Sequence, residues 1–409
     1  ENIAKDAGKK GKKEMENYRV IPLTSKDSLT YHTMDSIGDA EKLDQKVGLL
    51  LTLAKGSVPW GKVQFPIQHW VRYNNVEGFR LGLGLETSEK ISKRIALGAY
   101  GAYGFKDKRW KYGAYLKFPT PSTEKWSWSL GYKHDILEPG LSNLGSIKSN
   151  PLYGDLRLFT IRYLELYNTY SVNGTWDVSK SLKVMPKAEY VEQVHTSFDQ
   201  NTAFSEYRAE VEIDFWPGRS YNKFMDVLIP VGSAKPRITS KFAVGSVTGL
   251  TNWTRVGWEY GFPRLGKSSH ELIGFFSMDG IENAYGLGTF KASNSGSTLR
   301  FSGSNQFEVQ FPQLPLHEMQ FSYFFSHNFK DLLLSSEKWK PELRVRYGLG
   351  VGFEERTASE YNLIQELGLE VFKLVKVGGT QLGAGVYTEL KQDGSLGSPV
   401  VKICFSPPF

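Results

Sequence analysis

The chain has a single cysteine, Cys404, in 409 residues, so no intrachain disulfide framework holds its fold. Long apolar runs are also missing. The longest, "VGLLLTLA" at 47–54, falls far short of the roughly 20 residues a membrane helix needs. A membrane protein without such helices must cross as a closed β-barrel. No Pro/Ser-rich linker cleanly divides the chain, and no apolar leader stands at its start. The first residue is Glu1 rather than Met, which reads as a mature or truncated product whose targeting is not legible.

Catalytic motifs are absent too. There is no Gly-x-Ser-x-Gly elbow, no His-Glu-x-x-His and no phosphate-binding loop. "HEL" (270–272) and "HEM" (317–319) each lack the second histidine of a zinc site. "GLGVG" (348–352) reads as small residues on one face of a strand, not as a nucleotide loop. The expectation is therefore a protein that is not an enzyme and uses no cofactor or metal. The net charge is +7, but Lys and Arg are interleaved with acids outside "KKGKK" (9–13). That run reads as a solvated linker. With no basic helix and no base-stacking motif, nucleic acid is not an expected partner.

What the chain does have is 14% aromatic residues, 41 glycines and a two-residue period. "YRAEVEIDF" (207–215) sets Arg208, Glu210, Glu212 and Asp214 against Tyr207, Val211, Ile213 and Phe215, and Glu206 extends the charged row. Successive side chains of a strand point to opposite faces, so this is a strand with one apolar and one charged face. The pattern recurs. "EGFRLGLGLE" (77–86) alternates Arg80 and glycines with Phe79 and leucines, and "WKYGAYLKF" (110–118) sets Lys111 and Lys117 against Trp110 and Phe118. "KWSWSLGYKHD" (125–135) puts Trp126 and Tyr132 on its apolar face, and "YSVNGTWDV" (170–178) puts Trp176 there. "TRVGWEYGF" (254–262) opposes Arg255 and Glu259 to Trp258 and Phe262. "ELRVRYGLGVGFE" (342–354) opposes Arg344 and Arg346 to Tyr347 and Phe353. "LKVMPKAEY" (182–190), "QLGAGVYTEL" (381–390) and "VVKICFSPPF" (400–409) continue the theme. Turn signals fall at 106–108, 178–181, 249–252 and 391–395, with longer connections near 136–165 and 217–236. The pattern is weakest over 264–335.

A half-buried soluble sheet and a membrane barrel share this local pattern. Three features favour the barrel. The segments run about 9–14 residues, near the 9–11 that cross a bilayer at a tilt. Aromatics cluster near segment ends, as interfacial girdles do. The opposite faces hold charges or glycines throughout. The predicted architecture is all-β: a transmembrane antiparallel up-and-down β-barrel of about sixteen strands over 59–409. Residues 1–58 are expected to form a polar, partly helical, periplasmic segment, with Ser36 or Asp39 capping a short helix that Gly56 ends.

The candidate lumen-facing charges are Arg80, Lys111, Lys117, Glu206, Arg208, Glu210, Glu212, Asp214, Arg255, Glu259, Arg344 and Arg346. The candidate lipid-facing aromatics are Trp110, Phe118, Trp126, Tyr132, Trp176, Tyr207, Phe215, Trp258, Phe262, Tyr347 and Phe353. The inward carboxylates could bind cations. The simpler reading is a charge ladder paired with neighbouring strands, with Lys183 and Lys187 as candidate partners.

"YNNVEGFRLGLGLETSEKISKRIALGAYGAYGFKDKRWKYGAYLKF" (73–118) resembles a Bacteroidota-type family of outer-membrane β-barrels of unknown function, and 27–46, 257–272, 324–333 and 367–390 extend the likeness over most of the chain. Members often carry an N-terminal carboxypeptidase-regulatory-like domain, which has no counterpart before residue 27. The "NNVEGFRLGLG" hairpin is also similar to the first hairpin of the outer-membrane insertase and translocation barrels. Their Arg-Gly-Phe or Arg-Gly-Tyr lumen-loop motif and their repeated periplasmic domains are not found here. A terminal aromatic such as Phe409 is typical of barrels handed to the insertase, whereas Pro407 and Pro408 are unusual in a ladder.

The resemblance implies the cell outer membrane, with lipid and other envelope proteins as partners. Three functions stay open: a component of an envelope transport, assembly or export complex; a passive or gated solute pore; and a barrel hydrolase or lipid-modifying enzyme. Strand parity sets a test. Val211→Arg should impair membrane insertion and Glu210→Arg should not; equal tolerance in an insertion assay would contradict a barrel, since a mid-bilayer Arg costs about 2–4 kcal/mol.

Overall fold

Alternating apolar and polar residues form strands throughout the computed structural model. It describes residues 56–118, 126–138, 164–195, 205–224, 227–231, 235–263, 265–278, 287–288, 290–292, 302, 305–310, 316–330, 340–355, 360–377 and 380–406. The expected helix before Gly56, the "KKGKK" run and the Pro407–Phe409 terminus lie outside these residues.

The strands are β1 (Ser57–Trp60), β2 (Val63–Pro66), β3 (Val71–Asn74), β4 (Gly78–Thr87), β5 (Ala96–Gly104), β6 (Arg109–Phe118) and β7 (Trp126–Leu137). Next come β8 (Glu165–Asp177), β9 (Leu182–His195), β10 (Ser205–Phe215), β11 (Ser220–Phe224), β12 (Val227–Val231), β13 (Arg237–Gly245) and β14 (Gly249–Phe262). The chain closes with β15 (Gly266–Met278), β16 (Met319–Asn328), β17 (Glu342–Phe353), β18 (Asn362–Val377), β19 (Thr380–Glu389) and β20 (Val400–Ser406).

From β3 to β10, and again from β13 to β20, each strand pairs antiparallel with the next, and β10 pairs with β13. That is eight strands and eight more, an up-and-down meander of sixteen. Two more strands raise the sheet to eighteen: β2, because the first wall strand is broken into β2 and β3, and β1, which pairs antiparallel with β2. β2 pairs with β4 through Val63↔Thr87, and β3 pairs with the same edge from Val71↔Leu81. A 3-10 turn at Ile67–His69 lies between the two pieces. Among the described residues no pairing joins β20 to β1 or β3, so this barrel-type sheet is not closed by hydrogen bonds. No described helix is long and apolar enough to cross a membrane, which leaves crossing by strands untouched.

Parity decides burial. On β10, Glu206, Glu210, Glu212 and Asp214 are buried on one face, the inner face, while Tyr207 is 73% exposed on the other, outer one. The long connections after β7 and after β10 leave from opposite ends of the sheet, and the second carries the separate β11–β12 hairpin. One turn differs from expectation. The β13–β14 loop is Ser246–Val247–Thr248, since Gly245 pairs with Gly249 and β14 already begins there. The turn glycine does bend the chain: Gly249 has φ of 65°.

Two glycine tracks let chain segments lie against the inner face. A Cβ at Gly84 would sit 2.9 Å from the His69 ring, and the His69 ring stacks on Tyr100 at 4.0 Å. The break after β2 is thereby held against β4 and β5. On β17, a Cβ at Gly350 would lie 2.8 Å from Phe307, and one at Gly352 only 2.3 Å from His317. The "GLGVG" alternation thus makes room for part of the β15–β16 connection. Phe290, Ala292 and Phe307 of that connection pack on Phe324 and Ile364. Gly288 bridges to His317, and Ala292 to Phe307. This organisation falls in the stretch where the sequence pattern is weakest.

Candidate functional site

The inner face gathers the charges into three groups. In the first, Arg80 of β4 reaches across two strands to Asp135 of β7. Its two terminal nitrogens donate to the two carboxylate oxygens at 2.6 and 3.0 Å. Tyr100 donates to the same carboxylate at 2.7 Å. Lys111, fully buried, pairs with Glu77 at 2.8 Å and also with Asp107. Asn74 in turn donates to Glu77 at 2.6 Å. Lys117, half-exposed, bonds Glu86 at 2.5 Å beside the Tyr115 hydroxyl.

The second group lies along β10, β13 and β14. Glu206 accepts the Thr248 backbone N–H at 3.0 Å and its hydroxyl at 2.9 Å, which fixes the β13–β14 loop on the strand end. Arg208 donates to Thr248 and Thr251 at 3.0 and 2.8 Å. Glu210 pairs with Lys241 at 2.9 Å, and Asp214 with Arg237 at 2.7 Å. Glu212 is buried on the same row. The candidate partners Lys183 and Lys187 behave otherwise. Lys187 stands directly across from Glu210 but bonds Glu189 at 2.6 Å, and Lys183 lies 3.5 Å from Asp177. Each carboxylate has neighbours on both sides, and here β13 supplies the closer cation. Further along, Arg255 pairs with Glu271 at 2.6 Å, whereas Glu259 and Lys267 form an exposed pair.

The third group, on β17–β20, holds the inward segment. Glu308 pairs with Lys402 of β20 at 2.9 Å and with Arg346 of β17 at 3.2 Å. Arg346 also donates to Glu370 at 2.8 Å, and Arg344 meets the same carboxylate at 3.3 Å. Tyr387 donates to Glu370 at 2.6 Å. Glu366 accepts the backbone N–H groups of Glu308, Val309 and Gln310 at 2.6, 2.9 and 3.0 Å. A carboxylate facing three successive backbone donors anchors the chain itself, not one side chain. Sequence reasoning did not single out Glu77, Asp135, Glu308, Glu366 or Glu370. The signal for the last two was available in the alternation of 362–372, where both share the face of Phe372.

The aromatics of the opposite parity stand on the outer face. Trp110, Trp126, Trp176, Tyr207, Phe215, Phe262 and Phe118 are exposed, while Tyr132, Trp258, Tyr347 and Phe353 are half-buried by neighbouring rings and strands. Trp258 stacks on His270 with centroids 4.9 Å apart. His69, His134, His270, His317 and His327 have hydrogen-bond partners in Gln68, Asn168, Tyr323, Asn362 and the Leu265 carbonyl, none of them a serine or cysteine. Among the described residues no group of three or more His, Cys, Asp or Glu is arranged to hold a metal ion. The chemistry of this face is charge pairing and the fastening of chain segments.

No protein-family model and no curated protein matches the chain. Solved structures similar to it include BamA from Haemophilus ducreyi lacking POTRA domains 1–3. That match has 10% identity and a TM-score of 0.48, and it covers 83% of this chain and 70% of that one. CdiB from Escherichia coli matches at 9% identity and a TM-score of 0.46, covering 84% of this chain and 62% of its own. A bacterial polysaccharide outer membrane secretin matches at 9% identity and a TM-score of 0.34, covering 80% and 87%.

Two expectations follow from the pairs. Glu210→Arg now places a cation against Lys241, so Glu210→Gln is the proper control for Val211→Arg. Glu308→Gln withdraws a carboxylate from the buried Lys402 and should destabilise the barrel by about 3–5 kcal/mol. A thermal melt in detergent checks this; an unchanged melting temperature would contradict the anchoring role of Glu308.

Proposed function

We propose that this chain is an integral outer-membrane β-barrel and a component of an envelope transport, assembly or export complex. Its partners are outer-membrane lipid and other envelope proteins. The outer face, with Trp110, Trp126, Trp176 and Tyr207, meets lipid. The inner face, with Arg80, Lys111, Glu210 and Arg346, meets water and the chain's own inward segments. The likeness of 73–118 to Bacteroidota-type outer-membrane barrels supports the same placement.

One observation carries the reading. The segment around Phe307 and Glu308 is built into the inner face: Gly348, Gly350 and Gly352 leave it room, and Lys402, Arg346 and Glu366 fasten it. An open selective pore is built on a constriction of like charges facing water. Here the charges are spent on one another. A barrel that holds chain against its wall is suited to handling or docking polypeptide.

The test is purification of the native protein in mild detergent, with identification of co-purifying chains and conductance in planar bilayers. The expected result is a stoichiometric envelope partner and no steady open-channel current. A lone barrel with ohmic conductance would make it a pore and overturn the proposal.

A further inference from the structure

Two loops stand side by side at the end of the sheet where β20 finishes. One is the tip between β1 and β2, where Trp60 pairs with Val63 and Gly61 turns the chain with φ of 62°. The other is the β4–β5 turn, residues 88–95. Val63 stands across from Thr87, and the Ser88 N–H donates to the Lys62 carbonyl at 2.9 Å, which ties the two loops together.

The β4–β5 turn is fastened through its backbone. The Ile91 N–H donates to the Ser88 carbonyl at 2.9 Å. The Ser92 hydroxyl accepts the N–H groups of Arg94 and Ile95, each at 3.2 Å, and the Thr87 hydroxyl accepts that of Leu97 at 2.9 Å. The side chains of Lys90, Lys93 and Arg94 are left pointing outward. All three are exposed, as is Lys62. On the inner face nearly every cation meets a carboxylate, but none of these four pairs with one among the described residues. The one acid in the turn is Glu89, also exposed, while Glu86 is buried and bonded to Lys117. Four cations against one carboxylate leave a local charge of +3.

Apolar side chains stand among these cations. Trp60 is 71% exposed, and Ile91 and Ile95 are exposed as well. They continue the outer wall: Ile95 has the parity of Leu97, and Leu85 and Leu97 are exposed on the outer faces of β4 and β5. An indole and aliphatic groups beside Lys and Arg, at the rim of an apolar wall, suit the boundary of a bilayer. There the rings sit at headgroup level and the long cationic side chains reach phosphate. A nucleic acid or an acidic protein would match the charge but would leave the two isoleucines in water.

We propose that this rim is a binding site for the headgroup of an anionic glycerophospholipid. Lys90, Lys93 and Arg94 from one loop and Lys62 from the other meet the phosphate and the headgroup charge. Ile91, Ile95 and Trp60 seat against the first acyl carbons. The site rests on the reading of the outer face as lipid-facing, and deepens it by naming the lipid and the end of the barrel that holds it.

The test uses the full chain reconstituted in nanodiscs of equal parts phosphatidylglycerol and phosphatidylcholine, with the retained lipid read by native mass spectrometry. Wild type should retain phosphatidylglycerol about fivefold over phosphatidylcholine. The preference should shrink at about 0.5 M salt, where charges are screened. Lys90→Gln with Lys93→Gln should remove most of it, and Glu89→Gln should raise it. Lys108→Gln with Lys391→Gln takes the same charge from exposed positions at the opposite end and should leave the preference unchanged. Equal retention of the two lipids by wild type overturns the site. So does an equal loss in the two double variants, which would make the effect one of net charge alone. Crosslinking of an acidic protein through Ser92→Cys in native membranes also overturns it. Failure of wild type to insert into the bilayer overturns the membrane reading along with the site, whereas insertion without preference overturns the site alone.

Discussion

Side-chain parity in a pleated strand is the constraint on which this structure rests. A slip of one residue in β10 would carry Glu206, Arg208, Glu210, Glu212 and Asp214 to the outer face together. It would also break the bonds of Glu206 to Thr248, of Glu210 to Lys241 and of Asp214 to Arg237. On the proposed membrane reading, lipid outside and charge pairing inside penalise the same error, so register is fixed twice over. The requirement is shared along the meander, because each strand hands its parity to the next through the cross-strand pairs.

The inner face must then satisfy what it buries. Lys111, Lys402 and Arg80 are essentially inaccessible, and each meets carboxylates from other parts of the chain. Removing a charged group from water is costly unless it is paired and hydrogen-bonded. The pairs also link elements distant in sequence: Arg80 with Asp135, and Glu308 with Lys402. Glycine serves the same end by subtraction. Where β4 and β17 lack side chains on their inner faces, the His69 turn and the Phe307 segment fill the space.

Much of the fold is legible in the sequence because period two is local. The alternation in 110–118, 207–215 and 342–354 marks β6, β10 and β17 to within two residues. Strand β9 runs through Pro186, whose missing donor does not end it. The faces of Arg80, Lys111 and Glu210 also follow from parity. Partners do not: Glu210 stands directly across from Lys187 on one side, yet pairs with Lys241, which stands across from Glu212 on the other, and only three-dimensional geometry selects between them. The broken first strand was hidden because "VQFPIQHWVRYN" keeps its apolar residues while turning inward at Ile67–His69. Glu308 was hidden for another reason: its segment has no period of its own, and it is placed by the glycines and charges of β17, β18 and β20.

The central claim is that one parity of each strand meets lipid and the other a wet, charged interior. The most direct measurement is a cysteine scan of 207–215 in membrane-reconstituted protein, with each site probed by a lipid-soluble and a water-soluble reagent. The background is low, since Cys404 is the one native cysteine and it is buried. The account predicts lipid-phase reactivity at 207, 209, 211, 213 and 215, and the opposite preference at 208, 210, 212 and 214. Uniform aqueous reactivity along the strand would contradict it.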